Sequence, residues 1–386
     1  MSTPRIRVLR IIARMNVGGP ALQISGLARQ LDPDRFEHVI LCGEVEPGEA
    51  DWLQLRAPDV QVVHIPGLAR SIGTARELRA LRAIRREIAR FRPDIVHTHA
   101  AKAGVLGRLA TTIGRPRHRP LTVHTFHGHL LQGYFGTAGT FAVKMTERFL
   151  ARRTTALVAV GSAVRDELLA AGVGRSRQYH VVAPGLELPP MPTRSAARAQ
   201  LNLDDHIPVV AFVARLTQIK RPDRLLATVR ALQSLVPDLV VLVVGDGPLA
   251  EPMQHNAQDL GPTVRFLGWR ADVETVYAAA DVALLTSDNE GMPVSLIEAS
   301  WCATPCVSTA VGSVAEVVLH EHTGFVTNCD PLALATATAK ILCDPVFASQ
   351  MGAAAQRHAQ KNFSLSRLVN DHEGLYDHLV HDRGDR

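Results

Sequence analysis

Aromatic residues make up only 5% of this 386-residue sequence. That scarcity speaks against a single-stranded nucleic-acid binder, which stacks bases on exposed rings. Charge of one sign is also in short supply. Lys and Arg number 42 against 37 Asp and Glu, a formal excess of +5 at pH 7, far from the concentrated basic face of a nucleic-acid-binding domain. The cations are mostly arginine, which suits local contacts with phosphate groups. Cysteine is sparse: Cys42, Cys302, Cys306, Cys329 and Cys343 are scattered, form no CxxC and have no adjacent histidine to complete a zinc set. Neither a disulfide framework nor a structural zinc is expected, and reduced thiols in a cytoplasmic protein are. Uncharged apolar runs of membrane-spanning length are missing, and the charged stretch 1–15 lacks the apolar region of a signal peptide. Membrane contact is therefore expected to be peripheral at most, at the inner face.

What is present is an ordinary globular composition, 46% apolar and 20% charged, at a length that calls for two domains. Short apolar runs alternate with amphipathic stretches, the pattern of α/β domains with parallel strands and crossover helices. The most informative stretch is 287–311, SDNEGMPVSLIEASWCATPCVSTAV. It follows the apolar run Val282–Thr286, passes through a Gly/Pro-containing loop and enters a helix expected over about 294–303. Loop and helix start then fall at the carboxyl end of a parallel strand, where open α/β sheets bind ligands. Glu290 lies in that loop at the helix mouth, and Glu298 lies about two turns further in, beside Leu296, Ile297 and Ala299. Ionised carboxylates are pure acceptors, so both suit a polyhydroxy ligand. Equally, Glu290 can be an exposed loop carboxylate and Glu298 a solvated helix residue.

The first half begins with a strand over Ile6–Ala13, then Asn16-Val17-Gly18-Gly19-Pro20 and a helix from about Ala21 to Leu31. Such a glycine pair lets backbone amides approach a phosphate at a helix start, although it is not GxGxxG and a tight turn explains it as well. Strands are expected at His38–Gly43 and Val60–Ile65. Between Arg70 and Phe91 the stripe Leu78, Leu81, Ile84, Ile88 and Phe91 opposes Arg79, Arg82, Arg86 and Arg90. This basic amphipathic helix suits an anionic bilayer or a phosphorylated acceptor, or simply water. The stretch Thr122–His129 ends a strand near Thr125, leaving His127, Gly128 and His129 in its loop. An exposed imidazole there can donate a hydrogen bond or shuttle a proton. Strand alternation sends His124 elsewhere, and no adjacent carboxylate or thiol supports a metal site. Tyr134 and Phe135, within 130–139, are candidates for covering an acceptor.

The proline-rich stretch after Ala183 reads as a linker, giving domains at 1–188 and 207–386 joined by 189–206, with the last helix packing back on the first domain. In the second half, Arg215 and Lys220 follow a strand over Val209–Ala214, placed to neutralise a diphosphate. Gly245-Asp246-Gly247 turns sharply after another strand. Trp269 and Arg270 are placed to frame a planar base. Gly312 to Val314 offer further amides.

Taken in order, Gly18-Gly19, His127-Gly128, Arg215-Leu216 with Lys220, Gly245-Asp246-Gly247, and Glu290 and Glu298 followed by Ala303-Thr304-Pro305 resemble the retaining glycosyltransferases of family 4, along nearly the whole chain. HTFHGHLLQGYF looks like the cell-envelope and exopolysaccharide subgroup. The resemblance implies the GT-B fold, two Rossmann-like domains facing across a cleft, and transfer without metal or cofactor from a nucleotide diphosphate sugar, UDP being the commonest. It assigns catalytic roles to His127, Glu290, Arg215 and Lys220. Donor binding falls to Gly18, Gly19, Arg215, Lys220, Gly245, Arg270, Glu290, Gly291, Met292, Pro293, Val294 and Glu298, with Glu298 on the ribose. A hexose or N-acetylhexosamine would pass to a lipid-diphosphate-linked or small acceptor. The rivals are a UDP-sugar 2-epimerase of similar architecture and a nucleotide-sugar-binding protein without turnover. One departure is Ala303, where the family has glycine; alanine fits if the backbone there stays helical.

Overall fold

A computed structural model describes residues 4–46, 49–68, 73–112, 119–128 and 137–384. The chain divides into two compact units, residues 1–186 with 365–386, and residues 187–364.

The first unit holds seven parallel strands: β1 (Ile6–Arg14), β2 (Phe36–Gly43), β3 (Val63–His64), β4 (Ile95–His99), β5 (Leu121–Phe126), β6 (Ala156–Ala159) and β7 (Tyr179–Val181). Their order is β3-β2-β1-β4-β5-β6-β7. The helices between them are α1 (Gly19–Gln30), α2 (Trp52–Arg56), α3 (Thr74–Phe91), α4 (Ala101–Thr112), α5 (Thr137–Ala151) and α6 (Ser162–Ala170). The middle of β1 and all of β4 are buried on both faces because helices cover both. On one side Leu9, Ile11 and Val96 meet Ala80, Ile84 and Phe91 of α3 and Ala103 and Leu106 of α4. The expected stripe of α3 is narrower than its sequence suggests: Leu78 is 45% exposed. The strand expected over Val60–Ile65 shrinks to two residues. Arg108 of α4 donates two hydrogen bonds to Glu147 of α5, at 2.7 and 2.8 Å, with both side chains buried.

The second unit holds six parallel strands in the order β10-β9-β8-β11-β12-β13. After α7 (Arg194–Gln200) they are β8 (Val209–Val213), β9 (Val240–Val244), β10 (Val264–Gly268), β11 (Val282–Leu285), β12 (Cys306–Thr309) and β13 (Gly324–Thr327). The helices are α8 (Pro222–Gln233), α9 (Ala250–Asn256), α10 (Val273–Ala279), α11 (Val294–Trp301), α12 (Val314–Val317), α13 (Pro331–Leu342) and α14 (Pro345–Asn362). α13 and α14 start sharply because Asp330 and Asp344 cap backbone amides and a proline follows each.

The final helix, α15 (Leu365–Gly384), belongs to the first unit. Its Leu368, Leu375 and Tyr376 join Val8, Ile95, Val123 and Val158 in one core cluster. Gly26 of α1 makes room for it, since a Cβ there would stand 2.6 Å from Leu365.

Two expectations need correction. The stretch 189–206 contains α7, capped by Thr193. Its Arg198 is fully buried and donates to the carbonyls of Ala279, Asp204, Asp205 and Ile207 and to Asp281. Those donors anchor the segment to the second unit, so composition misread it as a linker. Ala303 is not helical: its φ of 56° is left-handed, a conformation that costs an L-residue roughly 1–2 kcal/mol. It ends α11, and its carbonyl rests against Gly352 of α14, where an added Cβ would collide with it. Gly352→Ala is expected to lose about 1–3 kcal/mol in urea denaturation, whereas Ala303→Gly, relieved of its strain, leaves stability unchanged or raises it.

Candidate functional site

In the second unit, successive crossovers leave β8 in opposite directions, so the loops after β8 and β11 part at the switch point of the sheet. Ligands of open parallel sheets bind there. Arg215 sits on the first loop with its side chain exposed, and Lys220 closes the turn Gln218–Lys220 that follows. Glu290 sits on the second loop and is only 8% exposed. The ammonium of Lys220 is in direct ionic contact with Glu290 Oε1, and the Ser287 hydroxyl donates to the same oxygen at 2.5 Å. A buried carboxylate needs such partners.

The two loops are locked by further bonds. The Asp288 amide donates to the Ile219 carbonyl at 2.8 Å. Thr286 Oγ1 donates to the Lys220 carbonyl at 3.0 Å, and Thr309 Oγ1 to the Ser287 carbonyl at 2.6 Å. Buried Arg224 reaches across from α8 to the Thr286 carbonyl and to Asp288. Arg221, left-handed at φ 53°, pairs with Asp223 and Asp288. Lys220 and Glu290 are therefore held by a fixed frame.

Other expected residues gather at the same strand ends. Gly245, with φ 132°, lies so close to Ala214 that any Cβ would collide with its carbonyl. Gly247 packs equally on Leu216, whose amide donates to the Asp246 carbonyl at 2.9 Å. The glycine turn after β9 thus lies flush against the loop bearing Arg215. Gly291 accepts from the Ser313 amide at 3.0 Å, joining the β11 loop to Gly312, which has φ 52°. The Ser313 hydroxyl is buried without a hydrogen-bond partner among the described residues. Met292 and Pro293 are buried, and Val294 opens α11 with no acidic residue in its first turn. Glu298 is half-buried on α11, near Tyr277 and Cys302. Burial first and the Glu298 charge second push both acids above their usual range. Arg270 follows β10, two strands from β8, and its guanidinium is forked on Asp272 at 2.6 and 3.0 Å. Trp269 beside it is 36% exposed.

In the first unit, Gly18 has φ 155°, is exposed and precedes the first turn of α1, with Gly19 as its first helical residue. His127 corrects the expectation of an exposed proton shuttle. It is half-buried at the end of β5, its Nε2 lies 3.1 Å from His99 Nδ1, and desolvation pulls its pKa to about 4. Such an imidazole is neutral near pH 7. His124 lies inside, against Thr98 at 2.8 Å. His129, Tyr134 and Phe135 fall outside the described residues. Among the described residues no group of three or more His, Cys, Asp or Glu converges as a metal site.

Sequence reasoning missed the set behind His127. His97 contacts Tyr376 Oη and Thr125 Oγ1, both at 2.7 Å, and stacks on His99 with ring centres 4.3 Å apart. His372 stands 5.7 Å from His97. Fully buried Arg10 lies over Tyr376, 5.9 Å from its ring centre, and no carboxylate pairs with it among the described residues. The two histidines on alternate positions of a buried strand, His97 and His99, were the available signal.

A profile described as "Glycosyl transferase 4-like domain" matches residues 18–185, and one described as "Glycosyl transferases group 1" matches residues 193–358. The chain is also 31% identical over 379 residues to the D-inositol 3-phosphate glycosyltransferase of Streptomyces avermitilis, covering 89% of this chain and 80% of that one. It belongs to the glycosyltransferases of GT-B fold. The enzyme is 26% identical to the UDP-Gal:alpha-D-GlcNAc-diphosphoundecaprenol alpha-1,3-galactosyltransferase of Escherichia coli, over 91% of both chains. In fold this glycosyltransferase is similar to sucrose-phosphate synthase from Thermosynechococcus elongatus, with TM-score 0.84, 22% identity and coverage of 98% and 100%. Anabaena HepE, solved with UDP and glucose, follows at TM-score 0.80, 22% identity and coverage of 97% and 100%.

The imidazoles of the glycosyltransferase set a pH dependence. Burial lowers His38 and His127 to about 4 and His372 to about 3, with Arg10 adding to the effect on His38 and His372. The unfolded chain takes up these protons near pH 6.5 and the folded chain does not, so stability present above pH 6.5 is lost as pH falls. Each fully buried imidazole contributes at most about 1.4 kcal/mol per pH unit. Urea midpoints are expected to drop between pH 6.5 and 5, a window in which exposed carboxylates stay ionised; a flat profile would contradict the burial of these rings.

Proposed function

We propose that this glycosyltransferase, which takes its sugar from a nucleotide-sugar donor, is a retaining, metal-independent enzyme of family 4 type. The donor is a UDP-linked hexose or N-acetylhexosamine, and the acceptor is a sugar hydroxyl on a lipid diphosphate. The observation that carries the reading is the Lys220–Glu290 pair at the switch point of the second sheet, with Arg215 on the same loop as Lys220. Cations matter there because negative charge grows on the leaving oxygen. Arg215 and Lys220 neutralise the diphosphate, aided by the amides near Gly19 and Gly312. Glu290 and the α11 start hold hydroxyls of the transferred sugar, Glu298 accepts from the ribose, and His127 donates to a sugar hydroxyl.

In the reaction, the bond from the anomeric carbon to the diphosphate oxygen breaks and a bond to the acceptor oxygen forms on the same face. The acceptor's proton passes to the departing diphosphate, so no covalent enzyme intermediate is needed. Glu290 is committed to Lys220 and Ser287, which leaves it poorly suited to act as a glycosidase nucleophile. The acceptor class is supported by the name of the Escherichia coli relative. It is supported also by two surfaces of the first unit. Arg79, Arg82, Arg86 and Arg90 of α3 are exposed. On α5, Phe141, Met145 and Phe149 form an exposed apolar stripe at helical spacing, 66%, 45% and 48% accessible. The contact proposed through these two surfaces is a peripheral one with an anionic membrane at the cytoplasmic face; no single helix among the described residues is long and apolar enough to cross a bilayer.

The test is release of nucleotide diphosphate from a panel of nucleotide sugars, with and without EDTA, then transfer to a synthetic lipid-diphosphate sugar. One donor is expected to turn over regardless of EDTA, to give a product of unchanged anomeric configuration, and to lose at least about a hundredfold in rate in Glu290→Ala and Lys220→Ala. Absence of both turnover and calorimetric binding across the panel would refute the donor assignment. Epimerised nucleotide sugar without acceptor would point to a 2-epimerase instead.

A further inference from the structure

His127 and His99 meet end to end. Their ring centres are 5.3 Å apart with planes at 30°, and the Nε2–Nδ1 contact is 3.1 Å, the geometry of an in-line hydrogen bond between two imidazoles. One ring must donate and the other accept. The two outer nitrogens, His127 Nδ1 and His99 Nε2, are both buried without a hydrogen-bond partner among the described residues. Two neutral rings carry two N–H groups in total, so one N–H lies in the shared bond and the other sits on an outer nitrogen. A buried N–H left without an acceptor is rarer and more costly than an unfilled lone pair. His99 is 2% exposed inside the sheet, whereas His127 is half-buried at its edge. The orphan proton is therefore better placed on His127 Nδ1, where an arriving ligand can accept it.

We infer that His99 is a positioning residue that donates through Nδ1 to His127 Nε2, fixing His127 as the tautomer that presents Nδ1–H to its ligand. The groups facing the pair support it. His97 of β4, His124 of β5, His372 and Tyr376 of α15 and Arg10 of β1 surround it, with no carboxylate among the described residues to draw a second proton onto either ring. His97 stacks on His99 and is itself held by Tyr376 and Thr125, so the ring orientation is set from the C-terminal helix outward. The backbone also singles out the position. Directly after His99, Ala100 is left-handed at φ 61°, a strain of the kind retained where a site requires it. It lies after β4, beside β1, at the switch point of the first sheet.

That the ligand is the hydroxyl of a donor sugar rests on the function proposed above; the tautomer does not. Two-bond proton–nitrogen spectra of 15N-histidine-labelled enzyme, assigned with His127→Asn, read the tautomer directly. His127 is expected to carry its proton on Nδ1 in the wild type. In His99→Leu it is expected to populate both tautomers, with kcat lowered about tenfold by loss of one directing hydrogen bond and the donor KM changed far less. His99→Asn, whose amide reaches the place of Nδ1, restores the wild-type spectrum and most of kcat. A wild-type His127 protonated on Nε2 overturns the inference, and so does an unchanged spectrum in His99→Leu. If His99→Leu fails to fold, the wild-type spectrum alone decides. An enzyme that turns over no donor yet shows the Nδ1–H spectrum defeats the functional reading and leaves the inference standing.

Discussion

The contact between Lys220 and the buried carboxylate of Glu290 governs the second unit. Neither group tolerates the interior alone, and each sits on a different loop, one after β8 and one after β11. Their attraction joins the two loops at the point where crossovers diverge. Arg224, Thr286, Asp288 and Thr309 then fix the backbone around the pair, so its geometry exists before any ligand arrives. Preorganisation of this kind matters for group transfer, because charges placed in advance need not reorganise as the leaving group departs. The glycine turn at Gly245 contributes by its lack of side chain, which lets β9's loop lie flat on the segment carrying Arg215.

The first unit solves a different problem by the opposite means. Around His97 its polar interior has a buried cation, Arg10, and a row of imidazoles, and among the described residues no carboxylate pairs with Arg10. Burial keeps the histidines neutral, so they act as hydrogen-bonding rings instead of charges. The row runs from Tyr376 on α15 through His97 and His99 to His127. A helix from the end of the chain thus supports a residue at the end of β5. Hydrophobic contacts of Leu368 and Leu375 with the same sheet hold that helix in place.

Much of this was legible in one dimension. Strand–loop–helix order, the charged pair Arg215 and Lys220, the spacing of Glu290 and Glu298 and the glycine turns all depend on local periodicity and turn chemistry, which neighbouring residues carry. Where local reasoning failed, a distant partner decided. Arg198 looks like one more polar residue in a proline-rich stretch, yet the carbonyls of Asp204, Asp205, Ile207 and Ala279 turn it into an anchor. Ala303 looks helical, yet its contact with Gly352 holds it left-handed. Leu78 lies on the apolar stripe of α3, yet the sheet does not reach it.

The sequence by itself determined two parallel α/β units and brought the charged and glycine-bearing loops to the strand ends, because a buried strand has no other place for groups that require water or a ligand. Only the tertiary structure decided which of those groups meet. It paired Lys220 with Glu290, forked Arg270 on Asp272, and set His99 against His127 in front of Tyr376. Those choices depend on strand order and on a helix 279 residues beyond His97, and contacts at such separation leave no local periodicity to read.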